Sequence, residues 1–510
     1  MSRINTNVQS LLAQRVLGQN NQNLGRSLER LSTGLRISRA KDDPAGLIAS
    51  ENLRSELTAT NAAIGNAQRA DQVVNIAEGG LQEISNLLTE LQGLLTTNAS
   101  SAGLSSAEKD ANQLQIDSII QTVDRISSST SFQGIKLLNG NFDYQANNVN
   151  GAVDSFRING AKFDGTSLDV DVVVTQSAQQ GTLLLSLGGT DIDLNAGSQF
   201  VFEVAGTDGA REFSFASGTS RADIVAAINS FTDVTGVVAS ADAGTGIRVY
   251  AEDFGSSDFV SVKVVNNGGL SNGTNDTNGI YNYEGTDYNT ADTTIAAAFD
   301  VGAATNGIRD EGQDVGASVN GITATSSGRT VRVNSDFLNV EIDLTTAGAQ
   351  TPDGIQAFSI SGGGASFMLD GNVDIQGEVS LGIADVATRK IGRFNDGSST
   401  FFLDDLGSGK GLNLIDGDLN KAQEVVANAL SEISSTRGRL GAFQRNTVAA
   451  TINSLGIAVE NTAAAESVIR DADFAAESAN LTRNQILVSA STNTLALAGQ
   501  QPQNVLQLLG

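Results

Sequence analysis

The side chains on which most enzymes rely near neutral pH are missing from this chain: 510 residues contain no histidine and no cysteine. Without histidine there is no imidazole base, no Ser-His-Asp relay and no H-E-x-x-H zinc motif. Without cysteine there is no thiolate nucleophile, no thiolate metal site and no disulfide. Carboxylates and hydroxyls remain. The tract Asn275–Asp287 offers oxygens suited at most to weak Ca²⁺ binding, and no D-x-D-x-D-G-x5-E loop occurs. Lys41, Asp42, Asp43 and Pro44 form a charged cluster that reads either as a solvated linker or as a spoke pairing with neighbouring molecules. Neither catalysis nor a cofactor or metal is expected.

The net charge of −26 argues against a nucleic acid or an anionic membrane as partner, because both would be repelled. Roughly 34 carboxylates against about 12 basic groups lie in 146–405, so the excess sits in the middle as a hydrating surface. The opening MSRINTNVQSLLAQ has no apolar h-region, and no run of about 18 apolar residues occurs. Neither a cleavable signal nor membrane insertion is expected.

The elements at the two ends differ from those in the middle. Ile4, Val8, Leu11 and Arg15, then Leu24, Leu28, Leu31 and Leu35, advance by threes and fours along one stripe of a helix. Pro44 separates this helix from a second that reaches about Asn98 and carries Leu53, Leu57, Ile64, Val74, Leu81, Ile84, Leu88, Leu91 and Leu95. At about 1.5 Å per residue it is on the order of 80 Å long. Ser105-Ser106-Ala107-Glu108 has the form of a capping box and predicts a third helix with Leu114, Ile116, Ile119, Val123 and Ile126.

Helical spacing returns at Leu419 and continues through Val426, Leu430, Ile433, Leu440, Ile452, Leu455 and Val459. The last stretch has Leu481, Ile486, Val488, Leu495, Leu497, Val505, Leu506 and Leu508, an apolar tail that needs a cover. Between the ends the sequence predicts short strands, among them 168–175, 182–187, 199–204, 211–216, 246–251, 258–265, 330–333, 339–344, 358–360, 366–369 and 379–383. It also predicts one helix near 221–230 and a loop over 266–289. The fold class is multidomain α + β. Long coiled-coil terminal domains pair N- to C-terminus, and mainly-β outer domains are inserted between them.

The ends resemble bacterial flagellin. The carrying residues are Ile4-Asn5-Thr6-Asn7, Leu28-Glu29-Arg30-Leu31-Ser32-Thr33-Gly34-Leu35-Arg36-Ile37, Lys41-Asp42-Asp43-Pro44-Ala45-Gly46 and Ser131-Phe132-Gln133-Gly134-Ile135-Lys136-Leu137-Leu138-Asn139-Gly140. Towards the other end they are Leu440-Gly441-Ala442-Phe443-Gln444-Arg445-Asn446, Ile469-Arg470-Asp471-Ala472-Asp473 and the final Gln-Leu-Leu. Residues 202–265, with Phe213-Ser214-Phe215-Ala216-Ser217-Gly218-Thr219, resemble the flagellin hook insertion motif, placed at about 199–265.

The resemblance implies a self-polymerising subunit of the extracellular flagellar filament. It implies inner coiled-coil segments at 1–44 and 466–510, a helical shell at 45–145 and 356–465, and variable outer β-rich domains at 146–355. Packing in that shell would fall to Leu81, Ile84, Leu88, Leu91, Leu95, Ile119, Val123, Ile126, Val426, Leu430, Ile433 and Leu440. Export unfolded through the flagellar type III export gate follows, as do an export chaperone on the C-terminal helix and contacts with the filament cap and hook–filament junction proteins. Absence of cysteine suits such export. Some flagellins carry a zinc protease insert, whose chemistry a histidine-free chain lacks.

One stretch departs from the family. Many flagellins carry an R-x-R-E-L-A-type run that contacts a host Toll-like receptor. Here Glu90 stands for the basic anchor and Gly93 for the acid, while Leu94 is retained. A hook–filament junction protein and a secreted adhesin with flagellin-like ends are the alternatives. Abundance in sheared cell appendages separates them from a filament subunit.

Overall fold

The computed structural model describes residues 7–509 apart from 101–102, 164, 188–190, 195–196, 243–245, 271–278, 285–286, 299–306 and 397–398, with side chains described except at 283–298 and 501–509. Its helices are α1 (Val8–Thr33), α2 (Pro44–Ala99), α3 (Ser106–Ser129), α4 (Arg221–Asn229), α5 (Thr232–Thr235), α6 (Thr346–Gln350), α7 (Leu419–Ala442), α8 (Ala449–Arg470) and α9 (Phe474–Leu509). Contacts divide the chain into two units. One is Met1–Gln82 with Phe367–Val379 and Ser434–Gly510; the other is Glu83–Ser366 with Ser380–Ile433.

In the first unit, local chemistry sets the helix ends. The Asn7 side chain accepts a hydrogen bond from Ser10 N–H and opens α1. Gly34 closes it in the left-handed conformation, donating its N–H to Arg30 O at 2.8 Å. Asp43 accepts the Gly46 N–H at 3.0 Å, and Pro44 is the first helical residue, where its missing N–H costs nothing. The second helix therefore begins at Pro44 itself, and it runs unbroken through Gly79 and Gly80 to Ala99.

A π turn over Phe443–Val448 joins α7 to α8. The extra residue aims Gln444 at α2, where its amide donates to Asp71 at 2.7 Å and Asn75 at 2.9 Å. Phe443 faces Phe367, and Leu369, Val448, Ala67 and Ala70 close a small core beneath them. Single π turns inside α-helices are frequent at functional sites.

The second unit carries two β modules. In the proximal one, a five-stranded sheet orders 322–323, 316–319, 168–176, 354–363 and 144–147; a four-stranded sheet orders 325–327, 330–334, 338–344 and 153–161. The two-residue period of a strand turns Val170, Val172 and Val174 inward to meet Val331, Val333, Val340, Ile342 and Phe358 in one core. The distal module pairs a five-stranded sheet (287–298, 279–284, 182–186, 246–251, 237–241) with a four-stranded one (308–311, 259–266, 199–205, 210–216). Its core holds Phe200, Phe202, Phe213 and Val249, with Ile224 and Ile228 of α4.

One expectation fails here. The tract 266–289 is not loop throughout, because Gly279–Glu284 is a strand paired with 182–186, and another strand begins at Asp287. Ile280 reaches the distal core although Asn, Gly and Thr dominate the tract before it, and Tyr281 beside it is buried as well. Composition misleads where a few buried side chains in a polar tract suffice to hold a strand.

Candidate functional site

The chain's two ends meet in the first unit. Helices α1 and α9 run antiparallel: Asn7 donates to Ala498 O at 2.7 Å, Asn20 to Ser491 Oγ at 2.6 Å, and Asn484 to Ser27 Oγ at 3.0 Å. Arg30 faces the buried Glu477 at 3.7 Å. Among the described side chains of this pair, Ala13, Ser27, Glu477 and Ser491 are the buried ones, so small and polar groups lie at its centre. A ladder of amides and hydroxyls fixes register, since a slip leaves each of them facing the wrong partner.

The apolar residues of the same helices lie mostly outside that seam. Val8 is 66% exposed, Leu11 57%, Ile486 63% and Leu497 66%; Leu28 is also exposed. Leu24, Leu31, Leu35, Leu481, Val488 and Leu495 are half-buried. Ile4 and the side chains of Val505, Leu506 and Leu508 fall outside the described residues. None of the residues of α8 is buried either.

A backbone clasp locks the ends where α1 stops and α9 starts. Arg36 N–H donates to Arg470 O at 2.7 Å, and Ala472 N–H donates to Gly34 O at 2.8 Å. The Arg36 guanidinium reaches Ile469 O at 2.5 Å, while Arg470 lies between Glu51 at 3.3 Å and Glu466 at 3.8 Å. Beside it, Asp42 accepts the Ser38 hydroxyl and the Arg39 N–H. Partial burial opposes ionisation of Asp42, but those donors and nearby Lys41 outweigh it and hold its carboxyl below the usual range. Lys41 and Pro44 are exposed, and Ile37 is buried beneath the turn.

In α2, Leu81, Ile84, Leu88, Leu91 and Leu95 are buried, as are Ile119 and Val123 of α3; Ile126 is half-buried. In α7, Val426, Ile433 and Leu440 are buried and Leu430 is half-buried. Glu90 and Gly93 are exposed on α2, with Leu94 half-buried. In the first unit Arg437 donates to Glu78 at 2.8 Å and to Gln82 at 2.6 Å.

A polar stripe on α3 escaped the apolar pattern. Gln113 donates to Leu406 O at 3.0 Å and accepts Leu414 N–H at 2.7 Å. Asp117 accepts the Ser408 N–H and hydroxyl, Asp124 accepts the Thr388 N–H and hydroxyl, and Ser127 donates to Leu138 O. These four side chains staple the return segment 388–414 and the turn at Leu138 to α3. The sequence signal was their helical spacing beside Ile116, Ile120 and Val123.

Burial alone would raise the Asp117 pKa, but the Ser408 hydroxyl, the Ser408 N–H and Gln113 together lower it. A depressed carboxylate stabilises the fold above its unfolded pKa and loses that contribution as pH falls through its folded value. We therefore expect the Ser408 amide resonance to titrate with a midpoint below that of an ordinary aspartate. A midpoint at or above the ordinary value would remove the staple.

A filament-forming structural protein is the class that these features define, with helical ends clasped together, apolar faces left open and β modules carried between. The bacterial flagellin N-terminal helical region matches residues 4–143, the flagellin C-terminal helical region 423–509, and the flagellin hook IN motif 199–253. Flagellin of Salmonella rubislaw is 30% identical over 99% of both chains, and B-type flagellin of Pseudomonas aeruginosa is likewise 30% identical over 99% of both. The solved structure of FliC from Burkholderia pseudomallei aligns with 74% of this chain and 98% of its own, at 14% identity and a TM-score of 0.23.

The chain belongs to the bacterial flagellin family. It is a structural subunit of the extracellular flagellar filament.

Proposed function

We propose that this subunit polymerises through its terminal helices into a filament that drives swimming, and that it is exported unfolded through the flagellar type III gate. The observation that carries this reading is the division of labour on α1 and α9. Polar groups close the seam within one chain, while Val8, Leu11, Leu28, Ile486 and Leu497 stay open to solvent. Exposed apolar side chains of that kind are an aggregation hazard unless another copy covers them. Segments 1–44 and 466–510 then form the inner coiled coil, 45–145 and 356–465 the surrounding shell, and 146–355 the outward domains.

Before assembly the same α9 residues would be held by an export chaperone. The finished filament would meet a cap at one end and hook–filament junction proteins at the other. The role is structural and not catalytic, in keeping with the missing histidine and cysteine. Negative-stain microscopy after a salt jump on purified chain tests the reading. Long filaments are expected; a protein that stays monomeric with ordered ends at high concentration would refute it.

Glu90 and Gly93 lead to a second expectation. An acid where a receptor expects a base costs several kcal/mol once desolvated, on the order of 3–5. Purified monomer should therefore activate receptor reporter cells weakly, and full potency would contradict this.

A further inference from the structure

The two β modules are connected by two covalent crossings, and a third, non-covalent one lies between them. The crossings pair with each other: Gln179 N–H donates to Gln313 O and Gln313 N–H to Gln179 O, both at 2.8 Å, and the Gln313 amide donates to Ser177 O at 2.8 Å. Across them lies the loop 252–258, which joins two strands of the distal module. Its Phe254 packs against the proximal core, with the Arg329 guanidinium of the proximal module 5.5 Å from the ring centre.

Asp314 pins the loop. Its carboxylate accepts the Ser256 N–H at 3.1 Å, the Ser256 hydroxyl at 2.6 Å and the Gly328 N–H at 2.7 Å. The chains touch so closely that side chains are excluded. A Cβ on Gly255 (φ +127°) would lie 2.9 Å from Gly328 Cα, and one on Gly328 (φ +59°) 2.5 Å from Phe254 O. Both glycines sit where other residues are strained. A polar cleft of about 520 Å³ runs along the joint. Its carboxylates are already engaged, Asp314 as described, Asp310 with the Thr182 N–H at 2.7 Å and Glu311 with Arg309 at 3.0 Å. The cleft is the outer wall of the joint.

We propose that loop 252–258 is a latch, with Phe254 as its bolt and Asp314 as its pin, that makes the two β modules one rigid arm. Two crossings alone form a hinge with one free axis. A third anchor off that axis removes the freedom.

The absence of native cysteine makes the test direct. Spin labels at Asp233→Cys in the distal module and Asn334→Cys in the proximal module, both exposed, report the distance between modules in the full chain diluted with unlabelled protein. A single narrow distribution is expected. Phe254→Ala should at least double its width, and Phe254→Leu should keep it narrow. A parent distribution as broad as that of Phe254→Ala, or an Ala variant as narrow as the parent, overturns the latch. Should Phe254→Ala fail to fold by circular dichroism, Asp314→Ala carries the same expectation, and an unchanged width there overturns it equally.

Discussion

A chain carrying Leu11→Asp and Leu497→Asp is expected to fold as the parent does and to stop elongating filaments from preformed seeds. Both side chains are more than half exposed in the single chain, so the monomer loses little. Surface substitutions of this kind usually change stability by less than about 0.5 kcal/mol. In a filament the same positions would be covered by neighbours, and an unpaired buried carboxylate costs roughly 3–5 kcal/mol per contact. Repeated at every subunit, that penalty is prohibitive. Circular dichroism should match the parent while light scattering with seeds stays flat. Growth at the parental rate would show that Leu11 and Leu497 lie outside the assembly surface.

The second large effect lies in the second unit. Gln113→Ala removes the partner of Leu406 O and of Leu414 N–H, both otherwise held by one buried amide. A buried backbone group left unpaired costs about 1–3 kcal/mol, so the loss should be on the order of 3 kcal/mol. Urea unfolding of the full chain should show an earlier midpoint for the transition that includes 388–414. Gln113→Glu keeps the acceptor but sets a buried carboxylate against Leu406 O and Asp117, and should destabilise at least as much as Gln113→Ala. If Gln113→Ala shifted the midpoint no more than an ordinary surface change, water would be replacing the amide freely and the staple would carry little stability.

The terminal helices were readable because their apolar spacing is long and regular. Leu81, Ile84, Leu88, Leu91 and Leu95 mark a face that the structure buries. The capping box at Ser105 was equally plain, since both of its hydrogen bonds are local. The centre of the α1–α9 seam was harder to see. Pattern reading weighs leucines, yet Asn20, Ser27, Asn484 and Ser491 meet there, and such residues look like any solvent-facing polar group until their partners are known. Gln113 and Asp117 were hidden for the same reason. The π turn at Phe443–Val448 has no local signature, and the contact it accompanies, Gln444 to Asp71, is long-range. In the β modules strand positions were legible, but pairing was not. The register of Ile280 opposite Leu185 is a tertiary choice that a run of Asn and Gly conceals.

The hydrogen bond from Asn7 to Ala498 spans 491 positions, nearly the whole chain. Closing so long a loop costs entropy that grows only logarithmically with length, so equilibrium tolerates it. Timing is another matter. As the chain leaves a ribosome, α1 has no mate until α9 emerges, and the clasp at Gly34 and Ala472 stays open until the second of its strands has followed. Completion of the polypeptide thus acts as its own checkpoint: a chain cut short before Arg470 would lack both the mate of α1 and the far side of the clasp.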